Sequence, residues 1–189
     1  MKADMPAPQR QEPAIRALTA DDLSGFFTYL NDHLKDNGLD GAPLFQPLPR
    51  RQEFPADKAA AFSKALEVPL HKPGWRRAWI ATGHDGILGH IDLRARGEGG
   101  TAHRALLGMG VHRLARRQGL GRVLVASALA WARSATALEW IDLEVLSVNE
   151  PARALYRQCG FRQTGEIEDM FRIDGERLAY TLMSLKLAR

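Results

Sequence analysis

The stretch Val111-His-Arg-Leu-Ala-Arg-Arg-Gln-Gly-Leu-Gly-Arg122 constrains this chain more than any other. An apolar run, Ala105 to Val111, leads into it and reads as a strand. An amphipathic helix follows over Leu120 to Ser134, with Leu120, Val123, Leu124, Ser127, Ala128 and Trp131 on one face. The first N–H groups of a helix have no partner inside it, and the helix dipole is positive there, so a strand, a glycine-bearing loop and a helix start make an anion cradle. Glycines at 119 and 121 remove the Cβ atoms that would hold a phosphate off those N–H groups. Arg116, Arg117 and Arg122 add positive charge. A diphosphate is the natural guest. No Lys-Ser/Thr follows the glycines, and the spacing is not G-x-G-x-x-G, so neither common nucleotide loop is present. Taken alone, R-x-x-G-x-G also fits a basic surface turn that caps an ordinary helix.

A second motif follows another strand, Trp140 to Val148. It reads Asn149-Glu-Pro-Ala-Arg-Ala-Leu-Tyr-Arg-Gln-Cys-Gly-Phe161. With both motifs in this order and spacing, the chain from Ala14 onward resembles the GNAT superfamily of acetyl-CoA-dependent N-acetyltransferases. The resemblance implies an α/β GNAT (acyl-CoA N-acyltransferase) fold: a mixed central sheet of about seven strands with a splayed central pair, flanked by about four helices. It implies that Arg116, Arg117, Gln118, Gly119, Leu120, Gly121 and Arg122 hold the CoA diphosphate. Met109, Gly110 and Val111 lie on the strand that meets the pantetheine arm, Met109 and Val111 through the main chain. Gly108 and Gly110 would ease a bulge there. Asn149 would bond the pantetheine amides, or cap a helix, or do both. Ala152 and Tyr156 complete the acetyl-CoA side.

Length and composition set the frame. A chain of 189 residues suits one domain, expected over residues 14–189, behind a polar, proline-bearing tail over residues 1–13 expected to be disordered. No apolar stretch reaches the length of a membrane span, and the tail has no hydrophobic signal core, so no membrane partner is expected. The single cysteine, Cys159, excludes an internal disulfide and fits a reducing cytoplasm. It reads as a packed residue at a helix end. The 26 basic and 22 acidic side chains leave a net charge of only +4, and the one basic cluster already has a ligand to explain it. No nucleic-acid partner is expected.

Elsewhere, Ala14–Thr19 reads as a strand, and Thr19 caps a helix over Asp21 to Asn37 with Leu23, Phe26, Phe27, Leu30 and Leu34 in one stripe. A proline-rich segment, Asp40 to Pro55, has apolar anchors at Leu44, Phe45 and Leu48; by resemblance it lines the acceptor pocket. A helix over Asp57–Val68 precedes a strand pair, Arg76–Thr82 and Ile87–Arg96, around the turn Gly83-His-Asp-Gly86. In Trp140–Val148, Ile141, Leu143 and Val145 face one way, Asp142 and Glu144 the other. Helix Pro151–Cys159 and strands Phe161–Ile173 and Arg177–Leu187 close the chain. Trp75 and Trp79 read as partial core residues that could also wall an acceptor.

The chemistry implied is acyl transfer from a thioester to a primary amine, on a small molecule or a peptide N-terminus, by direct attack in a ternary complex. Tyr156 is the expected acid, since a phenol of pKa about 10 can protonate a thiolate whose conjugate acid lies at about 8.5. The strand before the diphosphate loop holds Leu106, Leu107 and Met109, so the carboxylate many family members carry there is missing. Glu144 is the expected base, acting through water, with His103 as the alternative. His90 and Asp92 share one strand face, but no further ligands are spaced for a metal, and none is expected. The acceptor is unidentified, and dimers are common in the family, which leaves a homodimer open. The missing carboxylate also motivates a non-catalytic acyl-CoA-binding module, and the mild basic excess an RNA-associated protein.

Overall fold

The computed structural model describes residues 13–84 and 86–188. Apart from Pro13, the expected tail lies outside the described residues, as does Asp85 of the Gly83–Gly86 turn. The strands are β1 Ala14–Ala17, β2 Arg76–Gly83, β3 Gly86–Ala95, β4 Arg104–Val111, β5 Trp140–Leu146, β6 Arg162–Ile173 and β7 Glu176–Lys186. The helices are α1 Leu23–Leu34, α2 Ala56–Glu67, α3 Leu120–Ala135 and α4 Glu150–Gln158. All seven strands join one sheet in the order β1-β2-β3-β4-β5-β7-β6, antiparallel throughout except for the β4–β5 pair. No helix among the described residues is long and apolar enough to cross a membrane.

Strand parity sorts the side chains onto two faces. Ile91, Leu93, Leu107, Ile141, Leu143 and Val145 form one core with Leu120, Leu124, Val125 and Ala128 of α3 and Tyr156 of α4. On the opposite face, Ala78 and Ile80 pack with Phe26, Tyr29 and Leu30 of α1 and Phe62 of α2. Val123 was expected on the packed side of α3 but is exposed, because the helix turns its Leu120–Leu124–Ala128 ridge to the sheet. The rings of Trp75 and Trp79 meet that of Trp131 of α3 tilted and edge-on, with centroids 6.4 and 5.1 Å away, which is the core role; Trp75 also reaches the cleft described below.

α1 is shorter than its apolar stripe suggests. A 3-10 turn, Ala20–Asp22, precedes it, with the Asp22 carboxylate accepting from the Thr19 N–H at 2.9 Å. The helix stops at Leu34, and the chain turns through Gly38 (φ 70). Asn37, expected in the helix, instead holds the next segment. Its Oδ1 accepts from the N–H groups of Phe45 (2.8 Å) and Gln46 (2.9 Å), and its Nδ2 donates to the carbonyls of Gln46 (3.1 Å) and Leu48 (3.3 Å).

β4 and β5 pair only from Arg104↔Trp140 to Leu107↔Leu143. Beyond that β5 stays with β7, β4 stays with β3, and the two part. The closed end is stapled. The Asp142 carboxylate of β5 accepts from Arg104 Nε of β4 at 2.8 Å, from Ser184 Oγ of β7 at 2.6 Å and from Arg96 Nη1 at 3.0 Å. Asp142, expected as a neighbour of the base, is thus fully engaged in joining three strands.

Burial alone would raise the Asp142 carboxyl, but the hydrogen bonds from Arg104 and Ser184 and the arginine charges outweigh it and hold the group below its ordinary value. Asp142→Asn is expected to cost about 2–3 kcal/mol, because two partly buried guanidinium groups lose their counter-charge. A melting temperature lower by about 5–10 °C follows for a chain of this size. A depressed carboxyl stabilises the fold above its unfolded value of about pH 4 and stops doing so as the pH falls through the folded-state value, so the gap between wild type and variant closes in acid. Thermal melts across pH measure both effects.

Candidate active site

A cleft of about 1230 Å³ passes through the sheet where β4 and β5 part. On the α3 and α4 side it is lined by Met109, Val111, Gly119, Gly121, Asn149, Ala152 and Tyr156. On the α1 and α2 side it is lined by His33, Phe45, Phe62, Arg76, His90, Asp92 and Glu144. The proline-rich segment reaches it through Asp40–Pro43, Gln46, Pro47 and Phe54.

The loop before α3 turns a run of main-chain amides outward. Arg117 (φ 60) and Gly119 (φ 83) both take the left-handed conformation, which fans successive N–H groups to one side. Among the described residues, nothing accepts from the N–H groups of residues 117 to 121; the first helical bonds are those of Arg122 and Val123 to the Gly119 carbonyl. Space beside the Gly119 α-carbon is open. Gly121 has another task, since a Cβ there would lie 2.8 Å from Leu155 Cδ2. Its lack of a side chain lets α3 approach α4.

The loop side chains divide. Arg117 and Arg122 are exposed at the cleft, with Arg122 Nη2 3.3 Å from Gln158 Oε1. Arg116 is turned inward. Its Nε donates to the Val111 carbonyl at 3.1 Å, it forms an ion pair with Asp36, and its guanidinium lies 5.4 Å from the Phe45 ring centre. Arg113 and His112 meet Asp32 the same way, each at 2.7 Å, and the hydrogen bond from His112 leads in drawing the Asp32 carboxyl down to about 2. These contacts anchor the loop to α1. The Gln118 side chain donates to the Leu114 carbonyl at 2.8 Å, away from the cleft, and the Leu120 side chain is buried in the core. Gln118 and Leu120 therefore offer only main-chain N–H groups.

Tyr156 is 7% exposed, its ring 5.8 Å from that of Phe161. Its hydroxyl lines the cleft without a hydrogen-bond partner among the described residues. Burial, then Tyr180, Cys159 and Asp92, push the phenol above its ordinary value, so it stays protonated. Asn149 caps α4, its side chain accepting from the Ala152 N–H at 3.3 Å, and also lines the cleft. Burial raises the Cys159 thiol, in line with a packed, unreactive residue.

Glu144 is exposed on the stretch of β5 past the last β4 pair, where it helps push the Tyr180 phenol to about 12, after burial. His103 is not at the cleft. It precedes β4 at the closed end, where its carbonyl accepts from the N–H groups of Glu139 (2.8 Å) and Trp140 (3.2 Å), so it is too remote to serve as a base.

Gly108 and Gly110 form no bulge, because β3 and β4 run in unbroken register from Gly89↔Val111 to Ala95↔Ala105. They make room for side chains across the strand. A Cβ at 110 would lie 2.7 Å from His90 Cε1 and 2.8 Å from His33 Nε2. The Tyr29 hydroxyl donates to the Gly110 carbonyl at 3.3 Å and sits 3.1 Å from His90 Nδ1. Burial lowers His90 to about 4 and His33 well below its ordinary value, so both are neutral imidazoles. Of the residues in this group, His33 lines the cleft and was missed as a site residue, while Tyr29 stands behind His90 and the Gly110 carbonyl. The alternation of Gly108 and Gly110 against His90 and Asp92 was the signal. Among the described residues no cluster of three or more His, Cys, Asp or Glu could hold a metal.

Known proteins share this plan. The profile of the acetyltransferase (GNAT) family matches residues 45–161. A GNAT-family acetyltransferase from Streptococcus pneumoniae superposes with a TM-score of 0.76 at 20% identity, covering 94% of this chain and 100% of that one. The protein yncA from Salmonella typhimurium, solved with acetyl-CoA, gives 0.75 at 18% identity, covering 95% and 96%. Spermidine N-acetyltransferase from Vibrio cholerae, solved with CoA and spermine, gives 0.70 at 19% identity, covering 93% and 96%. At these identities the superpositions speak for the fold. With the profile spanning more than half of its 189 residues, this chain belongs to the acetyltransferase (GNAT) family.

Proposed function

We propose that this protein transfers the acetyl group of acetyl-CoA to a primary amine, with direct attack in a ternary complex. One observation carries this reading. The breach between β4 and β5 has a fan of open amides, residues 117 to 121, at one side and the unpartnered Tyr156 phenol at its edge. The residues present suit acetyl-CoA. Unpaired N–H groups at a helix start match a diphosphate, and Arg117 and Arg122 flank them. Past Leu107, the β4 edge at Met109, Gly110 and Val111 has no strand beside it and can pair with an extended arm, next to Asn149 and Ala152.

Acetyl-CoA supplies a thioester, whose acyl carbon is open to attack. Tyr156 gives its proton to the departing sulfur and, being raised by burial, has that proton to give across the physiological range. Glu144, exposed at the acceptor side of the breach, passes the amine's proton outward through water. No metal has a part in this scheme. The single, partly buried cysteine supports a reducing, cytoplasmic setting.

The test pairs calorimetry of CoA binding with thiol release over a panel of polyamines, amino acids and peptide N-termini. CoA binding with thiol release for at least one amine is expected. Tight CoA binding with no release for any acceptor would turn the reading into that of a non-catalytic acyl-CoA-binding module.

A further inference from the structure

We propose that Asp92 is the carboxylate that receives the attacking amine, reaching from β3 into the space that Gly108 leaves empty on β4. The proposal rests on the transferase reading above and names the group that touches the nitrogen.

Asp92 and Gly108 face each other in register, and a Cβ at 108 would lie 2.7 Å from Asp92 Oδ1. The carboxylate therefore lies over the β4 main chain at the first residue past the last β4–β5 pair, Leu107↔Leu143. This is the rim of the breach, on the strand where no side chain of β4 itself supplies an acid. Asp92 is also held. Arg76 Nε lies 3.1 Å and Arg94 Nη1 3.4 Å from its Oδ2. Its side chain is only 8% exposed, yet Oδ1 has no hydrogen-bond partner among the described residues and keeps some accessible surface. Asp40, Asp92 and Glu144 are the carboxylates lining the cleft among the described residues, and only Asp92 is buried. From the opposite face, the Tyr156 phenol is close enough for the Asp92 charge to help raise it. Carboxylate and phenol thus line the same cleft from opposite faces of the sheet.

The protons balance. An ammonium acceptor loses one proton to water, by way of Glu144, before attack. As nitrogen bonds to the acyl carbon, a second proton passes from nitrogen to Asp92 Oδ1. The C–S bond breaks, and sulfur takes the Tyr156 proton. The proton on Asp92 then restores the phenol. One ammonium and one thioester have become an amide, a thiol and one released proton.

The test begins with thiol release by the wild type, then Asp92→Asn. Turnover is expected to fall about 100-fold or more, with calorimetric affinity for CoA unchanged. The deficit should shrink about 10-fold for an amine of low basicity, whose nitrogen gives its protons to water unaided. Packing damage would not depend on the acceptor in that way. Should Asp92→Asn fail to fold around its two arginines, Gly108→Ala keeps every charge and pushes aside Oδ1, 2.7 Å from the new Cβ, and with it Arg94 Nη1 at 3.1 Å; it is expected to lose turnover while still binding CoA. Wild-type turnover in either variant, or an Asp92→Asn deficit equal for all amines, overturns the assignment. A wild type that releases no thiol for any amine of the panel overturns the transferase reading instead.

Discussion

Gly119→Glu should abolish CoA binding while leaving the fold standing. Two effects separate cleanly at this position. Gly119 sits at φ 83 with open space beside its α-carbon, so any side chain costs about 1 kcal/mol of backbone strain and meets no wall. Gly119→Ala carries that strain alone, and calorimetry should find its affinity for CoA reduced only a few-fold. A glutamate adds a carboxylate beside the unpartnered amides of residues 117 to 121. It competes for those donors, and at about 4 Å from a phosphoryl charge it repels by about 4 kcal/mol near a protein surface. That corresponds to a loss of at least 100-fold. Retained affinity in the glutamate variant would remove the diphosphate from this loop.

Tyr156→Phe is expected to lower turnover by about 100-fold or more, the range for loss of a positioned acid, with affinity for CoA barely changed. The ring remains packed on Phe161, and deleting a hydroxyl that bonds no other described residue opens no hole in the core. The sign of its pH behaviour is a second check. Because burial holds the phenol above the ordinary tyrosine value of about 10, its ionisation removes no activity below that pH. Any loss of rate between pH 8 and about 10 must then come from another group and should persist in the variant. Unchanged turnover would take Tyr156 out of the mechanism.

Much of this was legible in the residues, and what was not shares a cause. The period of α3, the alternation of β5 and the turn before β7 are local patterns, and each element appears within a few residues of its expected place. The cap on α4 needs only Asn149 and its neighbours. Gly108 and Gly110 were misread because their meaning depends on which residues of β3 stand opposite, and a strand does not announce its register. Arg116 carries a motif position, yet its guanidinium goes to Asp36, eighty residues earlier in the chain. Asn37 looked like the last turn of a helix, because nothing nearby shows that Phe45, Gln46 and Leu48 will need its amide. His103 was close in sequence to β4 but sits at the end of that strand away from the cleft. Distance along the chain hid these contacts; their chemistry was ordinary.

The parting of β4 and β5 also bears on kinetics. A cleft lined from both faces of the sheet would, on the proposed mechanism, let either reactant arrive first, since neither obstructs the other's route. Such an enzyme has no need to park its cargo on a side chain and discharge one product early. Initial-rate plots at several fixed acceptor concentrations should therefore converge to a point; parallel lines would mean that CoA leaves before the acceptor binds.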